Sequence, residues 1–432
     1  MFHMGWFLGK GFGVYGWNGQ WSGNVAKDVA RPDLFVDMAK GLERAGFDYL
    51  MLEDSSVLPD VYGSSFDYAL KVATVRHDPM PLVPLLAAQT RHLGIVSTAA
   101  TTFYPPFLAA RLFRTLDHLT EGRVGINLVT ASPHAAAQNY GLAQHVEHDA
   151  RYAMAAEWTR AVKALWDTWD ADALVLDERA GIFADPSKVH YANFEGEHYR
   201  TRGPLNTVPS PQQHPVICQA GGSPAGRELA AEHADTIIAI GAGLDGMKEY
   251  RDDISARVLK YGRKPADVKV LFLVDPVLGD TDEDAAARRD RRNAAQAADL
   301  EAVLSGMSYL SGFDFAKFDL DAPFPDIEGK SNGHQSMVDA MARAGRGRTL
   351  REVASTRRNA ESVELVGTPD TVAAQMGEVM EHVGGDGFLI NGLVTRKNIT
   401  EICDGLAPAL RRRGLIRSGY PFETFRENLL EF

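Results

Sequence analysis

Short runs of consecutive apolar residues alternate with longer stretches of helical period almost from one end of the chain to the other. Strands buried on both faces read as unbroken apolar runs, so the pattern predicts βα units around a parallel sheet. Eight strands are expected: His3 to Leu8, Tyr49 to Glu53, Leu93 to Thr98, Val124 to Thr130, Val216 to Gln219, Thr236 to Ile240, Val268 to Val277 and Gly387 to Ile390. Between them the period of apolar positions predicts helices over about 32–45, 81–90, 150–169, 223–233, 245–260, 369–383 and 400–413. Leu108, Leu112 and Leu116 recur at i, i+4 and i+8 and predict a further helix, while Trp158, Val162, Trp166 and Trp169 read as one buried stripe.

Two stretches break this rhythm. Residues 171–213 mix Pro, Gly, Asn and Tyr with charges. Residues about 280–364 begin Ala-rich and charged, hence helical, and turn irregular from Phe313 to Gly333. Both are read as insertions into one domain spanning 1–432. Eight regular repeats close most naturally as a (β/α)8 TIM barrel of the α/β class. A doubly wound open sheet is the competing architecture. It is weakened because Gly9-Lys10-Gly11-Phe12-Gly13-Val14, after the first strand, lacks the third glycine and the helical continuation of a dinucleotide fingerprint.

Composition adds exclusions. A net charge of −12 over 432 residues argues against a general nucleic-acid or anionic-membrane surface, and the basic runs Arg288 to Arg292 and Arg411 to Arg413 read as solvated helix faces. Cys218 and Cys403 form neither a metal-ligand spacing nor a disulfide framework. No metal is expected. The first residues lack the basic segment and cleavage site of a leader, and no apolar run approaches the roughly 18 residues of a membrane span, so the expected location is cytoplasmic.

In a barrel, ligand chemistry gathers at the C-terminal strand ends. The most legible of these is Gln219-Ala220-Gly221-Gly222-Ser223-Pro224-Ala225-Gly226. Its glycines let backbone amides approach an anion, Ser223 offers an N-cap hydroxyl, Pro224 suits the first helical turn, and the helix dipole favours negative charge. A phosphate cup and an ordinary N-cap are both consistent with it. The loop from Gly9 to Trp21, rich in glycines and aromatics, would suit an apolar lid over the mouth.

Four ordered motifs carry a resemblance: Phe103 to Arg111, Thr115 to Thr130, His148 to Tyr152 with Glu157, and Gln219 to Gly226. Over essentially the whole chain they resemble the nitrilotriacetate, dibenzothiophene-sulfone and long-chain alkane monooxygenase branch of luciferase-like flavoproteins. The resemblance implies a two-component monooxygenase. It would use reduced FMN and oxygen to oxidise or cleave a C–S, C–N or related bond of a small organic molecule, with a riboflavin-cleaving enzyme as one specific form. It implies a separate NAD(P)H:flavin reductase and a homo-oligomer, dimer or tetramer. It implies flavin contacts at Asp54, Thr98, Thr130, His148, Tyr152, Gly222 and Ser223, with Ser223, the Gly222 amide and Tyr152 on the phosphate. Ile126 and Ala131 depart from the family pattern, so the wall beside the flavin differs and no substrate carries over. Asn127, His134 and Tyr140 are the candidate catalytic residues, the latter two as a proton donor and a phenol on the substrate side. A deazaflavin-dependent hydride-transfer enzyme and a non-catalytic flavin binder remain as alternatives.

Overall fold

The computed structural model describes residues 1–15, 30–329, 331–356 and 361–432. The barrel strands are β1 His3–Leu8, β2 Tyr49–Leu52, β3 Gly94–Ala100, β4 Val124–Val129, β5 Val216–Gln219, β6 Thr236–Ala239, β7 Lys269–Val274 and β8 Gly387–Ile390. They close in the order β1-β8-β7-β6-β5-β4-β3-β2, every pairing parallel, which removes the open-sheet alternative. Crossover helices pack outside: α1 Asp33–Ala45, α2 Leu82–Ala87, α3 Pro106–Leu119, α4 His148–Trp166, α5 Pro224–His233 and α6 Gly243–Lys260. The strands are apolar on both faces because both are buried. Tyr49, Met51, Val96, Cys218, Leu271 and Leu389 fill the interior, while alternate residues such as Met4, Trp6, Leu50 and Ile95 lie under the helices.

The helix expected from Leu108, Leu112 and Leu116 is α3; it buries Ala109, Ala110, Phe113 and Leu116, whose small members admit close approach, and leaves Leu108 51% exposed. Two sequence expectations are corrected. Trp169 lies beyond the end of α4 and donates its indole N–H to the Leu205 carbonyl at 2.8 Å, leaving Trp158, Val162 and Trp166 as the buried stripe. The seventh strand stops at Val274, and Val277–Leu278 pair separately with Val366–Gly367.

Residues 171–213 carry two hairpins outside the barrel, Leu174–Asp177 with Ile182–Ala184 and Phe194–Glu195 with Arg200–Thr201. Between β7 and its crossover helix lie α7 Asp282–Ala298, α8 Leu300–Ser311, α9 Gln335–Gly345 and α10 Leu350–Thr356; then α11 Pro369–Val383 leads to β8. Val303, Met307, Phe315, Ile327, Val338 and Leu350 give this segment an apolar cluster of its own. No helix among the described residues is long and apolar enough to cross a membrane.

The floor of the barrel is plugged by α12 Phe425–Leu429. Phe425 fits because β3 opens with glycine: a Cβ on Gly94 would lie 2.6 Å from its ring. Three aspartates lock strand starts at this end. Asp48, Asp235 and Asp386 precede β2, β6 and β8, and each accepts a backbone N–H from the neighbouring strand, from Met4, Ile217 and Val270 respectively, at 2.8 Å. Arginines from other elements neutralise them: Arg417 at 2.7 Å, Arg426 at 2.7 Å and Arg251 at 2.8 Å. Burial works against ionisation of Asp48, yet His3, Arg417 and the Met4 N–H together hold its pKa below the ordinary carboxylate value.

Breaking a buried pair from one side leaves an uncompensated charge. Arg417→Met is therefore expected to cost about 3–5 kcal/mol of unfolding free energy, read from denaturant titration. A depressed folded pKa places the Asp48 contribution above the unfolded carboxylate pKa near 4, with loss as pH falls through the lower folded value. Asp48→Asn should flatten that acid limb of stability against pH.

Candidate active site

The cup forms where β5 hands over to α5. Ser223 caps the helix in extended conformation, its Oγ accepting the Gly226 N–H at 3.2 Å, and Pro224 occupies the first turn. A side chain at position 226 would close the space: its Cβ would stand 2.9 Å from the Gly221 Cα and 3.2 Å from the Tyr152 hydroxyl. The Tyr250 hydroxyl donates to the Gly221 carbonyl at 2.7 Å, and Arg227 donates to the Gly222 carbonyl at 3.2 Å, which pins the turn from outside. Tyr152, in the first turns of α4, brings its hydroxyl to the side chains of both Ser223 and Thr130. Burial pushes that phenol's pKa up, so it stays protonated and able to donate. The His148 ring lies 5.0 Å from that of Tyr152, with Nδ1 2.7 Å from Asp149 Oδ1. Glu147, not His148, caps α4, accepting from the N–H groups of Asp149 and Ala150. Thr130, His148, Tyr152, Gly222 and Ser223 thus converge on one spot.

A second group lies at the ends of β2, β3 and β4. Thr98 and Asn127 are register partners. The Thr98 hydroxyl donates to the Leu52 carbonyl at 2.8 Å and accepts from Asn127 Nδ2 at 2.9 Å. Both residues are buried, and Asn127 Oδ1 has no partner among the described residues. Asp54 follows β2, and burial pushes its carboxyl up to about 6, with Asp78 adding to the shift and the Ser55 N–H and Arg76 opposing it. Beside it the carboxylate of Glu53 pairs with Arg76. Tyr309 of α8 reaches across to donate to Ser55 Oγ at 2.8 Å, so the inserted helices contact the barrel mouth directly.

Between these elements lies a cavity of 410 Å³, bounded by the loops after β2 and β4 and by the insertion. His134 lines it with His145, Gln138, Tyr309, Phe313 and Asn332. Neither Tyr140 nor Asn127 does. Tyr140 is 47% exposed, stacks on Phe103 with ring centroids 4.2 Å apart, and bonds Ser56 Oγ at 3.0 Å. His145, Tyr309 and Asn332 escaped the sequence reading. Burial, with Arg151 adding to it, pulls His145 down to about 4, so its ring is neutral near pH 7, held 3.0 Å from the Ala131 carbonyl. His134, a sequence candidate for the substrate side, is brought to this cavity, and Arg151, inside the His148 to Tyr152 motif, lies behind its wall. The expected lid is described only to Tyr15, and residues 16–21 lie outside the described residues. Its near part is tied down, Phe12–Gly13 pairing with Arg76–His77. No group of three or more metal-capable side chains occurs among the described residues.

Residues 4–387 match the family described as luciferase-like monooxygenase. The dibenzothiophene-sulfone monooxygenase of Rhodococcus erythropolis is 37% identical over 417 residues, covering 94% of this chain and 91% of the relative. Nitrilotriacetate monooxygenase component A of Aminobacter aminovorans is 34% identical, covering 91% of this chain and 89% of its own. Among solved structures, a riboflavin lyase determined with modified FMN and riboflavin superposes with a TM-score of 0.89 at 30% identity, covering 100% of this chain and 96% of that one. A closed eight-stranded barrel, matched along almost its whole length in sequence and in structure, places this chain in the luciferase-like monooxygenase family.

Proposed function

We propose that the protein is the oxygenating component of a two-component system, taking reduced FMN from a separate NAD(P)H:flavin reductase and using oxygen to oxidise or cleave a C–S or C–N bond in a small organic molecule. The convergence of Ser223, Tyr152 and Thr130 on the start of α5 carries this reading. Three hydroxyl groups and a helix N-terminus would form a cradle for a phosphate dianion, and the missing side chain at Gly226 leaves room for it. The unpartnered Asn127 Oδ1, at the same end of the barrel, is an acceptor suited to a ring N–H.

Bound reduced FMN would supply the electrons that activate oxygen. This chain's residues bind, orient and shield. Ser223, Tyr152, Thr130 and the Gly222 amide would hold the phosphate, with His148 beside them. Asp54 and Thr98 would flank the ring system, Asp54 able to keep a proton up to about pH 6. The cavity lined by His134 and His145, walled by α8 and the segment around Asn332, would take the substrate and exclude water. Relatives named for a sulfone, an aminopolycarboxylate and riboflavin support C–S and C–N chemistry as the class.

The direct test supplies chemically reduced FMN in air, without a reductase, and offers dibenzothiophene sulfone, nitrilotriacetate and riboflavin in turn. Product from at least one is expected, and no product from any, together with no saturable FMN binding, would overturn the reading. Ser223→Ala removes one charge-assisted hydrogen bond of about 1.5–3 kcal/mol, so FMN affinity should fall about tenfold or more. Riboflavin, which lacks the phosphate, should bind as before. For Asp54 the folded pKa lies above the unfolded one, so its ionisation destabilises the fold as pH rises through about 6. Asp54→Asn should therefore melt higher than wild type at pH 8 and equally at pH 4.

A further inference from the structure

Arg151, the residue before Tyr152, is fully buried yet forms no ion pair among the described residues. Its guanidinium is spent on backbone: one Nη donates to the Ala131 carbonyl and the other to the Asn332 carbonyl, each at 2.8 Å. Its Nε has no acceptor. Glu147, an acid that acts on it from the same helix, is committed to the N–H groups of Asp149 and Ala150. A guanidinium keeps its proton at ordinary pH, so a positive charge is held here with no acid in contact among the described residues, Glu147 acting on it only from a distance.

The two carbonyls belong to different sites. Ala131 follows Thr130, whose side chain meets the Tyr152 hydroxyl in the cup. Asn332 walls the cavity and is tied again to the barrel side by its Nδ2 donating to the Val146 carbonyl at 3.0 Å. One buried cation therefore spans from the edge of the cup to the inserted wall of the substrate cavity.

We propose that Arg151 couples the two: an anion in the cup supplies the near counter-charge that no contacting acid provides, strengthens its hold on Ala131 and Asn332, and so firms the cavity wall at 331–334. Flavin then binds first and completes the substrate site. The identity of the anion as an FMN phosphate rests on the function proposed above, while the clamp itself does not. Because coupling between bound states is reciprocal, a substrate that leans on this wall raises affinity at the cup by the same factor. Arg151 is a positioning residue, reaching the cavity wall through Asn332 and through the Ala131 carbonyl that also holds His145.

Amide exchange of the full chain at Gly333 and His334 reads the wall directly, since these N–H groups bond Ser331 Oγ at 2.9 Å and the Leu310 carbonyl at 3.0 Å. Oxidised FMN and, separately, inorganic phosphate should slow exchange at both amides in wild type, whereas riboflavin should not. Arg151→Met should abolish the effect. Arg151→Lys keeps the charge but not the planar fork that reaches two carbonyls. It should bind FMN, lose most of the protection, and show a raised KM with little change in kcat, which keeps the test decisive if the Met variant fails to fold. FMN bound to wild type without protection, protection that survives in Arg151→Met, or equal protection by riboflavin would each overturn the coupling and leave the flavin reading intact. Failure of wild type to bind FMN would instead remove the flavin reading, and the phosphate arm would still decide the coupling.

Discussion

A parallel sheet closed into a barrel has no free edge and no solvated face, and this constraint organises the rest of the molecule. Side chains on both faces of each strand must be apolar or fully satisfied, so polar chemistry is driven to the two ends. At the floor it is structural. Asp48, Asp235 and Asp386 each accept the N–H of the second residue of a neighbouring strand and are neutralised by arginines from distant elements, two of them from the last sixteen residues of the chain. At the mouth it is left open, and there Asp54, Thr98, Asn127, Thr130 and Gln219 lie at or near the strand ends.

The mouth divides the labour between local and distant parts of the chain. The cup is a product of one strand-to-helix turn, completed by a single tyrosine from the preceding helix. The cavity is a joint of three segments, and its outer wall is borrowed from the insertion between β7 and α11. Tyr309 reaching Ser55 and Asn332 held by Arg151 are the points where that insertion grips the barrel. Variation in such an insertion can remodel the cavity while the cup stays constant, a physical route by which one barrel serves sulfones, aminopolycarboxylates and flavins among the relatives.

Charge is distributed with the same economy. The floor pairs its buried acids with arginines and the mouth pairs Glu53 with Arg76, whereas Arg114, Arg123 and Arg151 are buried with no acid in contact among the described residues. Of these, Arg151 is the residue next to Tyr152, beside a cradle of hydroxyls that would favour an anionic guest.

The sequence by itself determined the barrel and the turn from β5 into α5 that Ser223 caps. Strand runs and turn residues act within a few positions, so His3 to Leu8, Val216 to Gln219 and Gly387 to Ile390 could be bounded to the residue, and the Gly-Gly-Ser-Pro turn could be read as an anion cradle. Tertiary structure decided what depends on closure. It chose Ala109 and Phe113 over Leu108 as the buried face of α3, because packing distance, not hydrophobicity alone, selects a face. It moved Tyr140 out to stack on Phe103 and brought in His145, Tyr309 and Asn332. Residues as far apart as Asp60 and Asn332 share the cavity only because the closed sheet brings their loops to one rim. No periodicity along the chain encodes such neighbours; they exist once the eight strands have met.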